Sequence, residues 1–431
     1  MKKVMEFMEK YFVPVAAKIG SQRHLAAIRD GFVTITPLII AGAMAVLINN
    51  LPFKPYQNLM KGIFGEQWTS FGGNVWNGTF AVMSLLIIFT ISYNLARSYN
   101  SNGIAAAVVS FASLMMLYAG SAKDWAIPYA FLGAQGLFVS IFVALIATEL
   151  FVRLLGNPKL LIKMPQGVPP AVSRSFAALF PSMIVLAAFG LFKCILTWIL
   201  KVPDPHQWIF ATIQAPLTGL ADSLGSALLV VFLIHILWFF GLHGANIILP
   251  ISTVFYTATI NANIEAFKSS AAIPHIVTTP FFDNFIFLGG SGTSICLLIA
   301  IYLATKDKQM RSIANLGIAP ALFNINEPVL FGLPIVLNPI FGIPFILTPM
   351  VLTIIDYIIF KIGIVPKTIA LATWTIPPVI GGFITTGSVM GALLVILNLV
   401  IGTIIYIPFV KMAERYQNEI KIEESRETIK A

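Results

Sequence analysis

Apolar residues along this chain gather into blocks of roughly 20, the length an α-helix needs to cross the hydrocarbon core of a bilayer. Ten blocks fall near residues 28–50, 76–97, 103–120, 132–153, 175–200, 225–242, 245–262, 283–305, 338–360 and 388–411. The pattern predicts an all-α polytopic membrane protein with about ten transmembrane helices. Two further apolar segments, 317–335 and 366–385, remain unassigned. If only one of them crossed fully, the basic 306–311 loop and the basic C-terminal end would fall on opposite faces, so both are expected as re-entrant hairpins. Ahead of the first block, 5–28 intersperses Phe7, Met8, Tyr11, Phe12, Val15, Ile19 and Leu25 with basic residues. Such a segment is expected to lie in the interface as an amphipathic helix.

Composition fixes the class. The 431 residues are 58% hydrophobic and only 10% charged, against about 25% charged in soluble domains. The first 27 residues carry Lys2, Lys3, Lys10, Lys18 and Arg23 and no cleavage-like site follows a short apolar run, so no removed signal peptide is expected. The only cysteines, Cys194 and Cys296, lie in apolar segments, which excludes a disulfide framework or a cysteine metal site; neither a metal nor a cofactor is expected.

Lysine and arginine give the orientation. With ten crossings, 19 basic residues fall on the side of both termini, 7 on the other, and Lys193 within a block. By the positive-inside rule both termini are cytoplasmic. The net charge of +9 is thereby matched to anionic lipid headgroups, and no nucleic-acid partner is needed. The connection 201–224 separates a half at 1–200 from a half at 225–431, and polar features at membrane depth concentrate in the second.

The strongest of these is Asn324-Ile325-Asn326-Glu327-Pro328, set within apolar sequence. An ionisable group in a bilayer costs on the order of 3 kcal/mol even on lenient scales, so it marks a pathway or a partner. Asn324, Asn326 and Pro328 break the helix where backbone must line protein or a wet cavity. The bland reading is a buried carboxylate held by Asn324, Asn326 or a neighbouring helix. A second break, Gly241-Leu242-His243-Gly244-Ala245-Asn246, follows Trp238 and sets an imidazole among small residues where a ligand can approach; Gly244 and Asn246 join the candidates. His235, in unbroken apolar sequence, reads as structural. Asp283-Asn284 and Gly289-Gly290-Ser291-Gly292 can expose polar and backbone groups to sugar or phosphate oxygens, or simply allow close helix packing. Trp238 and Trp374 can stack on the apolar face of a sugar ring. Glu149 and Arg153, spaced i, i+4, are expected to pair, and Asp356 is placed near an outer helix end.

Together Gly20-Ser21-Gln22-Arg23-His24-Leu25-Ala26-Ala27-Ile28-Arg29-Asp30-Gly31-Phe32, Pro37-Leu38-Ile39-Ile40-Ala41-Gly42, the His243 break, Leu288-Gly289-Gly290-Ser291-Gly292 and the Glu327 motif resemble the enzyme IIC sugar permeases of the bacterial phosphotransferase system, in the lactose/cellobiose/diacetylchitobiose family. The resemblance runs along essentially the whole chain. It implies a homodimer with an N-terminal scaffold half, and a C-terminal half that holds a disaccharide between re-entrant hairpins and moves it inward. The family's essential histidine and glutamate map onto His243 and Glu327. It also implies a phosphocysteine donor, here a separate soluble IIB subunit, because the chain ends soon after its last span. A sugar hydroxyl, at C6, would take the phosphoryl group. The rival reading is a proton-coupled transporter with Glu327 as the coupling carboxylate.

Overall fold

The computed structural model describes residues 22–50, 54–118, 127, 129–162, 165, 169–333 and 335–430. The interfacial segment expected at 5–28 lies mostly outside them. Among the described residues the chain is helical, with no strand. The helices of the first half are α1 (Arg23–Asn50), α2 (Lys54–Phe64), α3 (Ser70–Gly78), α4 (Met83–Ser98), α5 (Gly103–Leu117), α6 (Leu137–Leu155) and α7 (Leu179–Cys194). Those of the second are α8 (Leu224–Phe239), α9 (Gly244–Lys268), α10 (Ser294–Ala304), α11 (Lys308–Ala321), α12 (Glu327–Gly332), α13 (Pro339–Lys361), α14 (Pro378–Thr386) and α15 (Val389–Lys430).

Each of the ten apolar blocks contains helix among its described residues, though 76–97 is shared by α3 and α4 and 283–305 is broken before α10. Among the described residues seven helical stretches are long and apolar enough to cross a membrane: Arg23–Asn49, Ser70–Ser98, Ala134–Leu155, Val172–Ile199, Thr279–Ala304, Pro339–Lys361 and Val389–Tyr416. An eighth is added if Pro205–Ala221 and α8, bent by 71° at their junction, count as one span. The block at 103–120 forms the shorter α5, and that at 245–262 the 25-residue α9. The connection 201–224 proves to be mostly helical. Asp204 caps its start by accepting from His206 N (3.0 Å) and Gln207 N (3.1 Å), with Pro205 at the first helical position, where proline loses no intrahelical bond.

Two apolar cores organise the chain. The first runs from Ala27 to Phe189 and takes in Ile260 and Ile264; the second gathers residues from Ala221 to Ala413. Helix α9 contributes to both, Tyr256 to the second and Ile260 and Ile264 to the first. At one end of the first core, Glu149 accepts from Tyr99 Oη (2.8 Å) and from its expected partner Arg153 (2.7 Å), and His24 Nε2 lies 3.3 Å away. The guanidinium of Arg23 sits 4.2 Å over the Tyr99 ring, so one carboxylate gathers the ends of α1, α4 and α6. Lys193 Nζ donates to the carbonyls of Leu117 and Pro203. In the second core Asp356 does lie near the end of α13, but it is not exposed there. Its side chain is fully buried between α13 and α15, where Asn398 Nδ2 donates to it at 2.8 Å and to the Phe285 carbonyl at 3.1 Å.

The glycine-rich turn before α10 is built by left-handed backbone: φ is +78° at Gly289, +94° at Gly290 and +75° at Gly292. A Cβ on Gly292 would overlap the Phe345 ring, and its carbonyl accepts from Tyr406 Oη. Gly292→Ala combines a left-handed φ with overpacking, each worth about 1–3 kcal/mol. It should lower the thermal unfolding midpoint in detergent clearly, whereas Gly219→Ala, where a Cβ meets open space within a helix, should leave it unchanged or raise it.

Candidate functional site

The His243 break follows from local chemistry. Helix α8 ends in Gly241 at φ +79°, the left-handed region that glycine enters without cost. Gly244 packs so closely on the Ile234 carbonyl that no side chain fits there. Between them His243 becomes the N-cap of α9, and its Nδ1 accepts from the Asn246 backbone N–H at 3.2 Å. Because Nδ1 is the acceptor, the proton of the neutral ring is on Nε2, which is left as a donor. The ring lies 4.4 Å from that of Trp238, which is buried and whose Nε1 finds no acceptor among the described residues. The side chain of Asn246 is exposed.

Glu327 opens α12 directly after the Asn326 cap and lies on the exposed face of its turn. It is not the internally held carboxylate of the bland reading: no hydrogen bond reaches it from the described residues, and the two asparagines bind elsewhere. His243 and Glu327, 84 positions apart, are close enough for their side chains to interact electrostatically. The chain after α12 returns to the His243 break, where Leu337 N donates to the Phe239 carbonyl at 2.9 Å and Val336 packs at Gly241.

Asn324 and Asn326 face protein. Asn324 has φ +60°; its Oδ1 accepts from Gly289 N at 2.7 Å, and its Nδ2 donates to the carbonyls of Trp374 and, at 3.2 Å, Ile376. Asn326 Nδ2 donates to the Ser291 carbonyl at 2.9 Å and stands 3.4 Å from Ser294 Oγ. Gly290 permits this packing, since a Cβ there would lie 2.7 Å from Asn326 Cγ and 2.8 Å from the Asn324 carbonyl. The motif turn, the glycine turn with Ser291, and the Trp374 loop are thus one hydrogen-bonded unit. The Trp374 side chain is 55% exposed and so available to a ligand.

The structure does not bring every candidate to this place. Asp283 sits in a wide helical turn, Phe282–Ile286, and lines a separate cavity of about 20 Å³ with Ser252, Thr253, Tyr256 and Thr279. Asn284 turns into the core against Gly381, its amide without a partner among the described residues. His235 is structural, as expected: it is fully buried, with Nδ1 2.6 Å from the Val231 carbonyl one turn back. Sequence reasoning missed Asn398, which holds the Phe285 carbonyl beside Asp283 and Asn284; a lone asparagine in the last apolar block was its only signal. Among the described residues no cluster of three or more His, Cys, Asp or Glu side chains forms a metal site.

Comparison with known proteins matches residues 29–349 to the family model of the phosphotransferase system EIIC. The chain is 36% identical to a putative permease IIC component, YwbA, of Bacillus subtilis (strain 168), over 96% of this chain and 97% of that one. It is 35% identical to the cellobiose-specific EIIC component of Geobacillus stearothermophilus, covering 95% and 94% of the two chains. The crystal structure of ChbC, the IIC component of the N,N'-diacetylchitobiose-specific phosphotransferase system, superposes with a TM-score of 0.91 at 36% identity, over 97% of this chain and 99% of that one. With the helical membrane architecture, these matches place the chain in the EIIC sugar-permease family of the phosphotransferase system.

Proposed function

We propose that this permease takes a disaccharide of the cellobiose or diacetylchitobiose type, carries it inward, and presents its C6 hydroxyl to a phosphocysteine on a separate IIB subunit. The return of the chain after the Glu327 turn to the His243 break, with Leu337 N on the Phe239 carbonyl, carries this reading. Sugars of that type are named for the Geobacillus and ChbC proteins that this chain resembles.

Phosphoryl transfer asks for positioning and charge more than covalent help. The sugar oxygen attacks phosphorus, the P–S bond breaks, the IIB thiolate leaves, and Glu327 takes the hydroxyl proton. His243 has the complementary task, because its ring donates through Nε2 and steadies the hydroxyl or the carboxylate. Trp374 offers its exposed face to a sugar ring, while the buried Trp238 backs the His243 ring. Gly244 supplies the close packing that sets His243, the Asn246 backbone N–H donates to its ring, Asn326 and Ser291 hold the turn that carries Glu327, and Asn324 ties that turn to the Trp374 loop. Asp283 and Asn284 fit a more distant part of the sugar path.

In this reading ten crossings leave both termini cytoplasmic, 317–335 and 366–385 are re-entrant, and the protein is a homodimer in contact with membrane lipid. The first half, 1–200, is the scaffold, and 225–431 is the half that carries sugar. The loops rich in lysine and arginine then face the IIB subunit.

Glu327→Gln keeps the shape and removes the base. Sugar-dependent loss of phosphate from phosphorylated IIB should fall at least about 100-fold, while calorimetric affinity for the sugar changes far less; near-normal transfer would remove Glu327 from the chemistry, and sugar uptake into vesicles that needs a proton gradient rather than the phosphorelay proteins would favour the coupled-transporter reading.

A 6-deoxy disaccharide leaves the carboxylate without its hydroxyl partner, and an unmade buried hydrogen bond costs about 1–3 kcal/mol. Affinity should drop roughly tenfold or more and phosphorylation should cease. Continued phosphorylation would assign the acceptor to another hydroxyl.

For orientation, a cysteine at Lys308 should be protected from an impermeant thiol reagent in intact cells, and cysteines at Lys61 or Lys201 should react. The opposite pattern would invert the topology.

A further inference from the structure

We propose that Asn324 is a positioning residue that sets the Trp374 ring relative to Glu327, so that one amide aligns the stacking and proton-accepting parts of the sugar site. The proposal rests on the reading above that Trp374 touches the sugar. Asn324 does not itself touch the sugar: it is buried, and both ends of its amide bind backbone.

The Trp374 loop depends on this residue. Before it, the chain is pinned where Ile369 N and Ala370 N donate to the Thr385 carbonyl at 2.7 and 3.2 Å; after it, α14 begins at Pro378. Between Leu371 and Ile376, the hydrogen bonds that link the loop to other described residues are the two from Asn324 Nδ2, and the other bond there is internal, from Ile376 N to the Thr373 carbonyl. Leu371 packs on the first core, and beyond it the loop's hydrogen bonds to the rest of the protein come from one NH2 group.

Loss of that group should act selectively. Asn326 separately ties the motif turn to the Ser291 carbonyl, and the backbone bonds from Asn324 N to Ala321 O and Ile325 N to Pro320 O do not involve the amide. Glu327 thus keeps its own anchors when Asn324 loses its side chain. Glycine is the suitable replacement, since it adopts φ +60° without strain, so Asn324→Gly deletes the side-chain bonds and spares the turn. Asn324→Asp retains an acceptor for Gly289 N–H but has no NH2 to offer the Trp374 and Ile376 carbonyls, and should resemble the glycine variant.

The test uses the full-length protein in detergent, with cellobiose and diacetylchitobiose as probes, a phosphorylated IIB, and 6-fluorotryptophan at all 7 tryptophans. Loss of one 19F resonance in Trp374→Phe assigns that residue. Both Asn324 variants should move or broaden this resonance alone and weaken sugar binding about tenfold, while phosphoryl transfer at saturating sugar stays within about threefold of the parent. In a Trp374→Ala background Asn324→Gly should weaken binding no further. A Trp374 resonance unmoved in Asn324→Gly overturns the interlock, as does wild-type behaviour of Asn324→Asp. Equal weakening with and without the Trp374 ring overturns the claim that Asn324 acts through it. If Trp374→Ala leaves affinity intact while Asn324→Gly moves the resonance, the sugar-contact reading fails and the interlock stands.

Discussion

A helix broken at membrane depth must find protein partners for the backbone groups it releases, because hydrocarbon offers none. In this permease asparagine amides meet much of that demand. Asn324 serves the Gly289 N–H and two carbonyls of the Trp374 loop, Asn326 the Ser291 carbonyl, and Asn398 the Phe285 carbonyl. Asn263 does the same further along, donating to the His275 and Thr368 carbonyls and accepting from His275 N. A primary amide suits the task because it donates and accepts without carrying charge. Each one replaces a stretch of regular helix with a junction between segments distant in sequence, and such junctions are where an irregular, ligand-facing surface can exist inside a membrane protein.

The chemistry follows from the breaks. A continuous helix through 238–246 would direct His243 along its own flank, and its Nδ1 would have no free N–H to receive. Ending α8 at a left-handed glycine and starting α9 at His243 makes the ring a cap, which fixes the tautomer as well as the position. In the same way Glu327 is presented because α11 stops and α12 begins within six residues. Electrostatic catalysis depends on groups fixed before the reaction begins; in the proposed site that fixing would come from cap and turn geometry.

Much of this was legible in sequence, for definable reasons. Apolar blocks and helix breaks are local patterns, so the helices, the His243 break and the Glu327 motif could be read directly. The tasks of Asn324 and Asn326 could not. Their partners lie 35 and 50 positions away at Gly289 and Trp374, and 35 away at Ser291, and a polar residue in an apolar run looks the same whether it faces a sugar or a carbonyl. Asp356 escaped for a related cause: nearness to a helix end suggests water, yet α15 crosses over it. The helical character of 205–221 was obscured by its prolines, which sit at first-turn positions that helices accept.

The two cores also differ in how they hold α9, the helix they share. Toward the second core its bonds are directional: Thr259 Oγ1 donates to the Val277 carbonyl at 2.8 Å, and Asn263 binds His275 and Thr368. Asp222 at the 71° bend reinforces the same loop by accepting from Ile276 N and Val277 N. Toward the first core α9 offers mainly Ile260 and Ile264, with Asn261 Nδ2 3.5 Å from Met83 Sδ as a weak polar contact. Hydrogen bonds to backbone fix one register, whereas apolar packing is non-directional and keeps most of its energy when surfaces shift. Of the two seams that α9 borders, the one toward the first core is held by the less directional contacts, and a displacement there would carry His243, at the start of α9, together with the second half and the proposed sugar site.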